Sequence, residues 1–171
     1  MLITEHYRNL NAQKHKESEK YGSYGGHIVT QVRELARRFS ATTILDYGCG
    51  KRSLEKALGF AISNYDPAIP GCEAVPEPAD LVVCMDVLEH VEPECLDAVL
   101  DDLARVTRIA GLLVVDCIPA KKHLPDGRNA HLIVERPQWW LTKLLTRFDL
   151  QQFNSTDDNF MAVVRAKQKP Q

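Results

Sequence analysis

The chain has 171 residues, 44% of them hydrophobic, with a formal charge of −2 at neutral pH and a pI near 6.3. That length suits one domain with a sizeable core and argues against a second, and the near-balanced charge gives no global field that would draw the chain to nucleic acid. Five cysteines, odd in number and without a Cys-x-x-Cys pair, point to reduced thiols and a cytoplasmic setting; residues 1–20 are too polar for a signal peptide, and no apolar run approaches the roughly 20 residues of a membrane span. In chain order, residues 1–24 are charged and run into Tyr21-Gly22-Ser23-Tyr24-Gly25-Gly26, which predicts a mobile arm and a turn. Ile28, Val32, Leu35, Ala36 and Phe39 then recur at helical spacing. Thr43 to Tyr47 reads as a first strand, Lys51 to Leu58 as a short helix stopped by Gly59, and Phe60 to Tyr65 as a second strand. Asp80 to Cys84 is the next strand. Pro93 opens a helix to about Thr107, Gly111 to Ile118 is a buried strand, and Pro137 opens a helix through Phe148. Leu150 to Phe153 and Phe160 to Ala166 close the chain as a hairpin around residues 155–159.

The strand Ile44-Leu45-Asp46-Tyr47 ends in an acid and a tight turn, Gly48-Cys49-Gly50, and a second acid, Asp66, closes the next strand. Glycines there let the backbone pass close to a ligand on the rigid edge of an open α/β sheet, so this is a nucleotide-cofactor site. A phosphate-cradling loop would need Ser or Thr after its Gly-Lys pair, and Arg52 follows Lys51 instead. A dinucleotide fingerprint would need a third glycine where Ser53 stands, and it has no use for Asp46 beside an anionic pyrophosphate. An acid two residues before the first glycine suits a cofactor that carries an ammonium group, such as the amino-acid end of S-adenosylmethionine, and Asp66 can accept from the ribose hydroxyls.

On these residues the chain resembles the class I S-adenosylmethionine-dependent methyltransferases. Asp46 to Gly50 matches their first motif, Asn64-Tyr65-Asp66 the second, and the segment from Ala79 to Val91, with its Leu88-Glu89-His90 triplet, the third. The resemblance runs from about Gly25 to Val164. It implies one methyltransferase-like domain over residues 1–171, with a Rossmann-like, mostly parallel twisted sheet and a C-terminal antiparallel hairpin. It also implies a cofactor held by Asp46, Tyr47, Gly48, Cys49, Gly50, Asp66, Pro67, Met85, Asp86 and Val87. There are two departures. Arg52 stands at the family's third glycine position. Only Pro67 to Ala79 separates the second strand from the next recognised one, where the family places a helix and a strand, and these proline-rich residues oppose a helix. The adenine side is then either open or covered by Gly71 to Pro78.

Asp86, Glu89 and His90, at i, i+3 and i+4, fall on one side of a helical turn, and His131 lies in a polar loop on the edge where substrates bind. With His131 this set can hold a divalent cation. It is similar to the ligand pattern of metal-dependent O-methyltransferases of ubiquinone biosynthesis and of small-RNA 3′ ends. In the other reading Glu89 and His90 brace the cofactor wall, and His131 is a general base or a structural loop histidine. Arg128, Asn129 and Trp140 are candidate acceptor contacts, and Lys121-Lys122-His123 is a basic cluster near the same mouth. The function expected is methyl transfer to a small or polar acceptor, at oxygen or nitrogen. The alternative is a protein of this fold that binds the cofactor or a partner without turnover. An NAD-dependent oxidoreductase is disfavoured by Asp46 and by the lack of a hydride-transfer constellation. The acceptor itself is not legible, because fold alone does not fix it.

Overall fold

The computed structural model describes residues 1–18 and 21–168. Its strands are β1 (Ile44–Tyr47), β2 (Ser63–Tyr65), β3 (Ala79–Met85), β4 (Thr107–Asp116), β5 (Phe148–Ser155) and β6 (Asn159–Ala166), joined in one sheet of order β2-β1-β3-β4-β6-β5. The first four are parallel to one another, and β6 runs antiparallel to both β4 and β5. The helices are α1 (Glu5–Glu17), α2 (Val29–Arg38), α3 (Ser53–Leu58), α4 (Leu96–Val106) and α5 (Pro137–Leu144), with short 3-10 turns at Tyr24–Ile28, Leu88–His90 and Pro93–Cys95.

The near-continuous apolar run of β3 is what a strand covered on both faces requires. Leu81 and Val83 pack on one side against Val32 and Leu35 of α2 and Leu54 and Leu58 of α3. Val82 and Cys84 pack on the other against Leu100 and Leu103 of α4 and Leu144 of α5. The five cysteines are free and buried. Among the described residues, no helix is long and apolar enough to cross a membrane.

The connection between β2 and β3 contains neither helix nor strand, as its prolines dictate. β2 therefore forms one border of the sheet. The other border, β5, carries a register shift between Leu150 and Gln152. Several element ends differ from the sequence reading; β2, for one, begins at Ser63 rather than Phe60. β4 begins at Thr107, where the Oγ1 donates to the Leu103 carbonyl at 2.7 Å. Phe148 opens β5 rather than closing α5, because its ring is needed in the core, where it is 1% exposed.

The expected mobile arm over residues 1–24 is corrected. Its residues 19 and 20 lie outside the described residues, but residues 5–17 form α1. Thr4 caps the helix, accepting from the Tyr7 N–H at 3.2 Å. The same residue donates its N–H and hydroxyl to the two oxygens of Glu92 at 2.8 and 2.7 Å. Tyr7 and Asn11, one turn apart, are buried, and the Tyr7 hydroxyl donates to the His90 carbonyl. Polar contacts rather than an apolar stripe hold this helix, so hydrophobic periodicity carried no sign of it.

Hydrogen bonds to a charged group contribute about 1.5–3 kcal/mol, and Glu92 receives two from Thr4. Glu92→Ala is therefore expected to lower stability by about 2 kcal/mol, with trypsin cutting first at Arg8, Lys14 or Lys16. Cleavage no faster than in the parent would show that the clamp does not hold α1.

Candidate active site

A cavity of about 800 Å3 opens at the carboxyl ends of β1, β3 and β4, and residues of α1 and the segment after it, Tyr7, His15 and Tyr21 among them, form one of its walls. The volume lies in the range of sites for organic ligands. Every residue that the sequence reading gives to the cofactor lines this cavity.

The turn after β1 is shaped by close approaches. Gly48 has φ +84°, and a Cβ there would lie 2.2 Å from Val87 Cγ2. Gly50 has φ +47°, and its Cβ would meet the Gly22 carbonyl oxygen at 2.6 Å. The N–H groups of Gly48 and Cys49 both donate to the Tyr65 carbonyl, at 2.7 and 3.0 Å, which ties the turn to the end of β2. Arg52, at the third glycine position, adopts the left-handed conformation a glycine would take, φ +56°, with its guanidinium 2.6 Å from Glu55. The departure from the family pattern is thus met by backbone strain of about 1 kcal/mol rather than by a change of path.

Asp46 is buried, and among the described residues no donor reaches its carboxyl. Burial, with the nearby charges of Asp66 and Glu55, pushes its pKa up to about 7. A group in that state fits a ligand that brings an ammonium. Asp66 is raised too, by burial, although it accepts from the N–H of Ala68 at 2.9 Å and of Gly50 at 3.1 Å. His15 lies over Gly22 beside Asp66, with its Nδ1 buried and without a partner. Unclaimed polar atoms and a cradle that admits no Cβ fit the expected cofactor.

Deeper in, the four residues expected to hold a metal do not form one set. Glu89, His90 and His131 bring one donor atom each within 4.8 Å of one another, while Asp86 groups instead with Glu89 and Asp116. The reason is local. The expectation assumed an α-turn, but Asp86 stands outside the 3-10 turn Leu88–His90 with φ +52°, which sends it toward the end of β4. Glu89 is 0% exposed; its Oε1 accepts from the Asp116 N–H at 2.9 Å, and its Oε2 has no partner. Burial drives its pKa far above the carboxylate range, and burial with the Asp116 charge raises that of Asp86 to about 6. His90 and His131 each direct Nδ1 at a backbone carbonyl, of Ala130 and Ile118, both at 2.6 Å. A carbonyl can only accept, so Nδ1 carries the hydrogen and Nε2 keeps a lone pair. Burial lowers the His90 pKa to about 4, which keeps it neutral.

The candidate acceptor contacts are corrected. Trp140 is 0% exposed in the core, 6.4 Å from the Phe160 ring, so it cannot touch a ligand. Asn129 braces its own loop, exchanging hydrogen bonds with the backbone of Ala120 at 2.8 and 2.9 Å. Arg128 pairs with Asp126 at 2.8 Å and lies over the Tyr7 ring. Tyr7, His15, Tyr21 and Asp116 line the cavity and were missed. Thr4 as a cap, with Tyr7 and Asn11 at helical spacing behind it, was the one available sign of the first of these.

A family model described as a methyltransferase domain matches residues 15–155. The chain belongs to the class I S-adenosylmethionine-dependent methyltransferases. No curated protein matches this methyltransferase by sequence. Among solved structures it is similar to DhpI in complex with SAH, at 14% identity and TM-score 0.63 over 97% of this chain and 100% of that one. It is also similar to Burkholderia thailandensis 1,6-didemethyltoxoflavin-N1-methyltransferase (14% identity, TM-score 0.58, 85% and 80% covered). The N-methyltransferase NodS from Bradyrhizobium japonicum matches at 16% identity and TM-score 0.57, with 83% and 87% covered. At such identities the likeness is one of fold.

Two predictions follow from the turn and its acid. Gly48→Ala should abolish measurable cofactor binding in a calorimetric titration. Adding Val87→Ala should restore it only in part, because the positive φ remains; binding by the single variant at parental affinity would refute the close-approach argument. The Asp46 pKa in the fold, about 7, exceeds the unfolded value of ~3.9. Its contribution to stability is therefore present below pH ~4 and lost as pH rises through 7. Asp46→Asn should leave the ligand-free protein unchanged near pH 4 and stabilise it at pH 8 by on the order of 2–4 kcal/mol. The same variant should bind S-adenosylmethionine about tenfold more weakly. Denaturation at the two pH values checks the sign.

Proposed function

We propose that the protein transfers a methyl group from S-adenosylmethionine to a small or polar acceptor, at oxygen or nitrogen, within one methyltransferase-like unit. The observation that carries this reading is the buried, unpartnered Asp46 carboxyl beside a glycine turn that admits no side chain. Asp46 and the turn Gly48-Cys49-Gly50 hold the methionine end, Asp66 the ribose, and Met85 to Val87 one wall. When bound, the cofactor supplies an electrophilic methyl group on a sulfonium.

The protein's share is positioning. Methyl transfer needs a nucleophile held in line, and proximity supplies much of the rate. His131 keeps an Nε2 lone pair by donating from Nδ1 to Ile118, so it can take a proton from the acceptor. His90, held neutral and fixed through Ala130, orients the acceptor, and Glu89, wholly buried, braces the wall by accepting from the Asp116 N–H. The loop after β4 that carries Lys121 and Lys122 forms the mouth.

A second reading, a divalent cation held by Glu89, His90 and His131, rests on the orphaned Glu89 Oε2 and the two free lone pairs. Asp86 is not part of that set, because it groups with Asp116. The donor set, one carboxylate and two imidazoles, suits a transition metal or zinc better than magnesium.

His131→Ala is expected to lower turnover by about 10²-fold or more, the usual worth of a general base, while S-adenosylmethionine binding stays unchanged. EDTA should leave the parent active if His131 is a base. Loss of activity in EDTA, restored by zinc or manganese, would instead assign the metal reading, and full turnover by His131→Ala would remove both roles.

A further inference from the structure

The carboxyl groups of Asp86 and Asp116 stand together on the inner wall of the cavity, and we infer that this wall binds the methyl acceptor as a protonated amine, with the ammonium group facing Asp86 and Asp116. This deepens the methyltransferase reading and rests on it.

Asp86, Glu89 and Asp116 bring one carboxyl oxygen each within 4.8 Å of one another; Asp86 and Asp116 line the cavity, while Glu89 is wholly buried and its Oε2 has no partner. The adjoining imidazoles point to the same ligand chemistry independently. His90 and His131 have spent their N–H groups on the carbonyls of Ala130 and Ile118, and each retains only an acceptor, Nε2. Even where Glu89 carries a proton, Asp86 and Asp116 stand as acceptors on the cavity surface.

An ammonium group is the complement of such a wall, with donors only and no lone pair to be repelled. A carboxylate or phosphate would meet lone pairs and negative charge. An alcohol offers one donor and brings no positive charge to meet the two carboxyl groups. A hydrated metal ion fits less well on this side, because the walls beside the acids are apolar, formed by Val87, Val114, Ile118, Phe160 and Met161. Hard cations retain waters that such walls cannot bond, whereas the carbon body of an amine packs against them. Lys121 is exposed at the rim, and Lys122 lies over the Tyr21 ring at 5.5 Å.

In turnover one ammonium N–H bond breaks and an N–H bond forms at His131 Nε2, which leaves a lone pair on the acceptor nitrogen. That pair forms the N–CH3 bond as the S–CH3 bond breaks with its electrons kept by sulfur, and the positive charge passes from sulfur to nitrogen.

The test loads the protein with S-adenosylhomocysteine and titrates it calorimetrically with primary amines from butylamine to tryptamine, each beside its matched alcohol and carboxylate. The expected result is at least one amine bound about tenfold more tightly than its alcohol. Asp116→Asn should erase that preference and change S-adenosylhomocysteine affinity by less than about twofold. If melting curves show that this variant does not fold, Asp86→Asn reads the same preference. Normal binding of S-adenosylhomocysteine with no amine preferred would overturn the inference and leave the methyltransferase reading standing. So would zinc or manganese binding that Asp116→Asn abolishes and that excludes the amines. Failure to bind S-adenosylhomocysteine at all would bring down the methyltransferase reading and this inference with it.

Discussion

Asp46, Asp86, Glu89 and Asp116 stand at or just beyond the carboxyl ends of β1, β3 and β4; Asp46 and Glu89 are buried there, and Asp86 and Asp116 are half-buried on the cavity wall. A carboxylate taken out of water costs several kcal/mol unless a cation or a full set of donors meets it. Asp66 finds two backbone N–H groups and Glu89 one, which is too few to restore ordinary acidity. The raised pKa values of Asp46, Asp86 and Glu89 record that deficit in the ligand-free chain. A ligand that is itself cationic supplies what is missing, so part of the folding free energy withheld here returns on binding.

Around this deficit the remaining elements act as supports. The parallel strands bring the acids to one edge because all four of β2, β1, β3 and β4 point the same way. The glycine turn is pinned to β2 through the Tyr65 carbonyl and pressed against Val87, so the ends of β1, β2 and β3 are fixed relative to one another. α1 closes the side that a longer connection between β2 and β3 does not cover. It is attached by Thr4 to Glu92 and by Tyr7 to the backbone of His90. The outer wall is thereby joined to the same segment that carries Glu89 and His90.

The mostly parallel sheet, its closing hairpin and the glycine turn were legible because their signals are local. A strand, an acid and two glycines occur within seven residues, and the prolines after Asp66 forbid a helix. What failed were inferences about direction. Trp140 was read as an acceptor contact, and nothing in the spacing told that its ring would be wholly enclosed while Trp139 packs beside Lys143. The four expected ligands read as one cluster because an α-turn was assumed, and one left-handed residue, Asp86, divides them. Asp116 was hidden inside an apolar strand, and its meaning depends on β3 and β4 being neighbours. α1 was unreadable by hydrophobic pattern, since its docking rests on a capping threonine, a tyrosine hydroxyl and an asparagine.

The two borders of the sheet have a bearing on how this chain behaves in company. An exposed strand edge is a template on which another chain can build, and long, flat edges are the dangerous ones. β2 offers three residues and is followed at once by Asp66 and Pro67, which turn the backbone away. β5 is longer, but the shift between Leu150 and Gln152 kinks its ladder, and exposed Asp149, Gln151 and Gln152 stud its length. A passing strand would find too few groups in register on either side. An architecture bordered by β2 and β5 thus resists edge-to-edge association and the slow coagulation that follows from it.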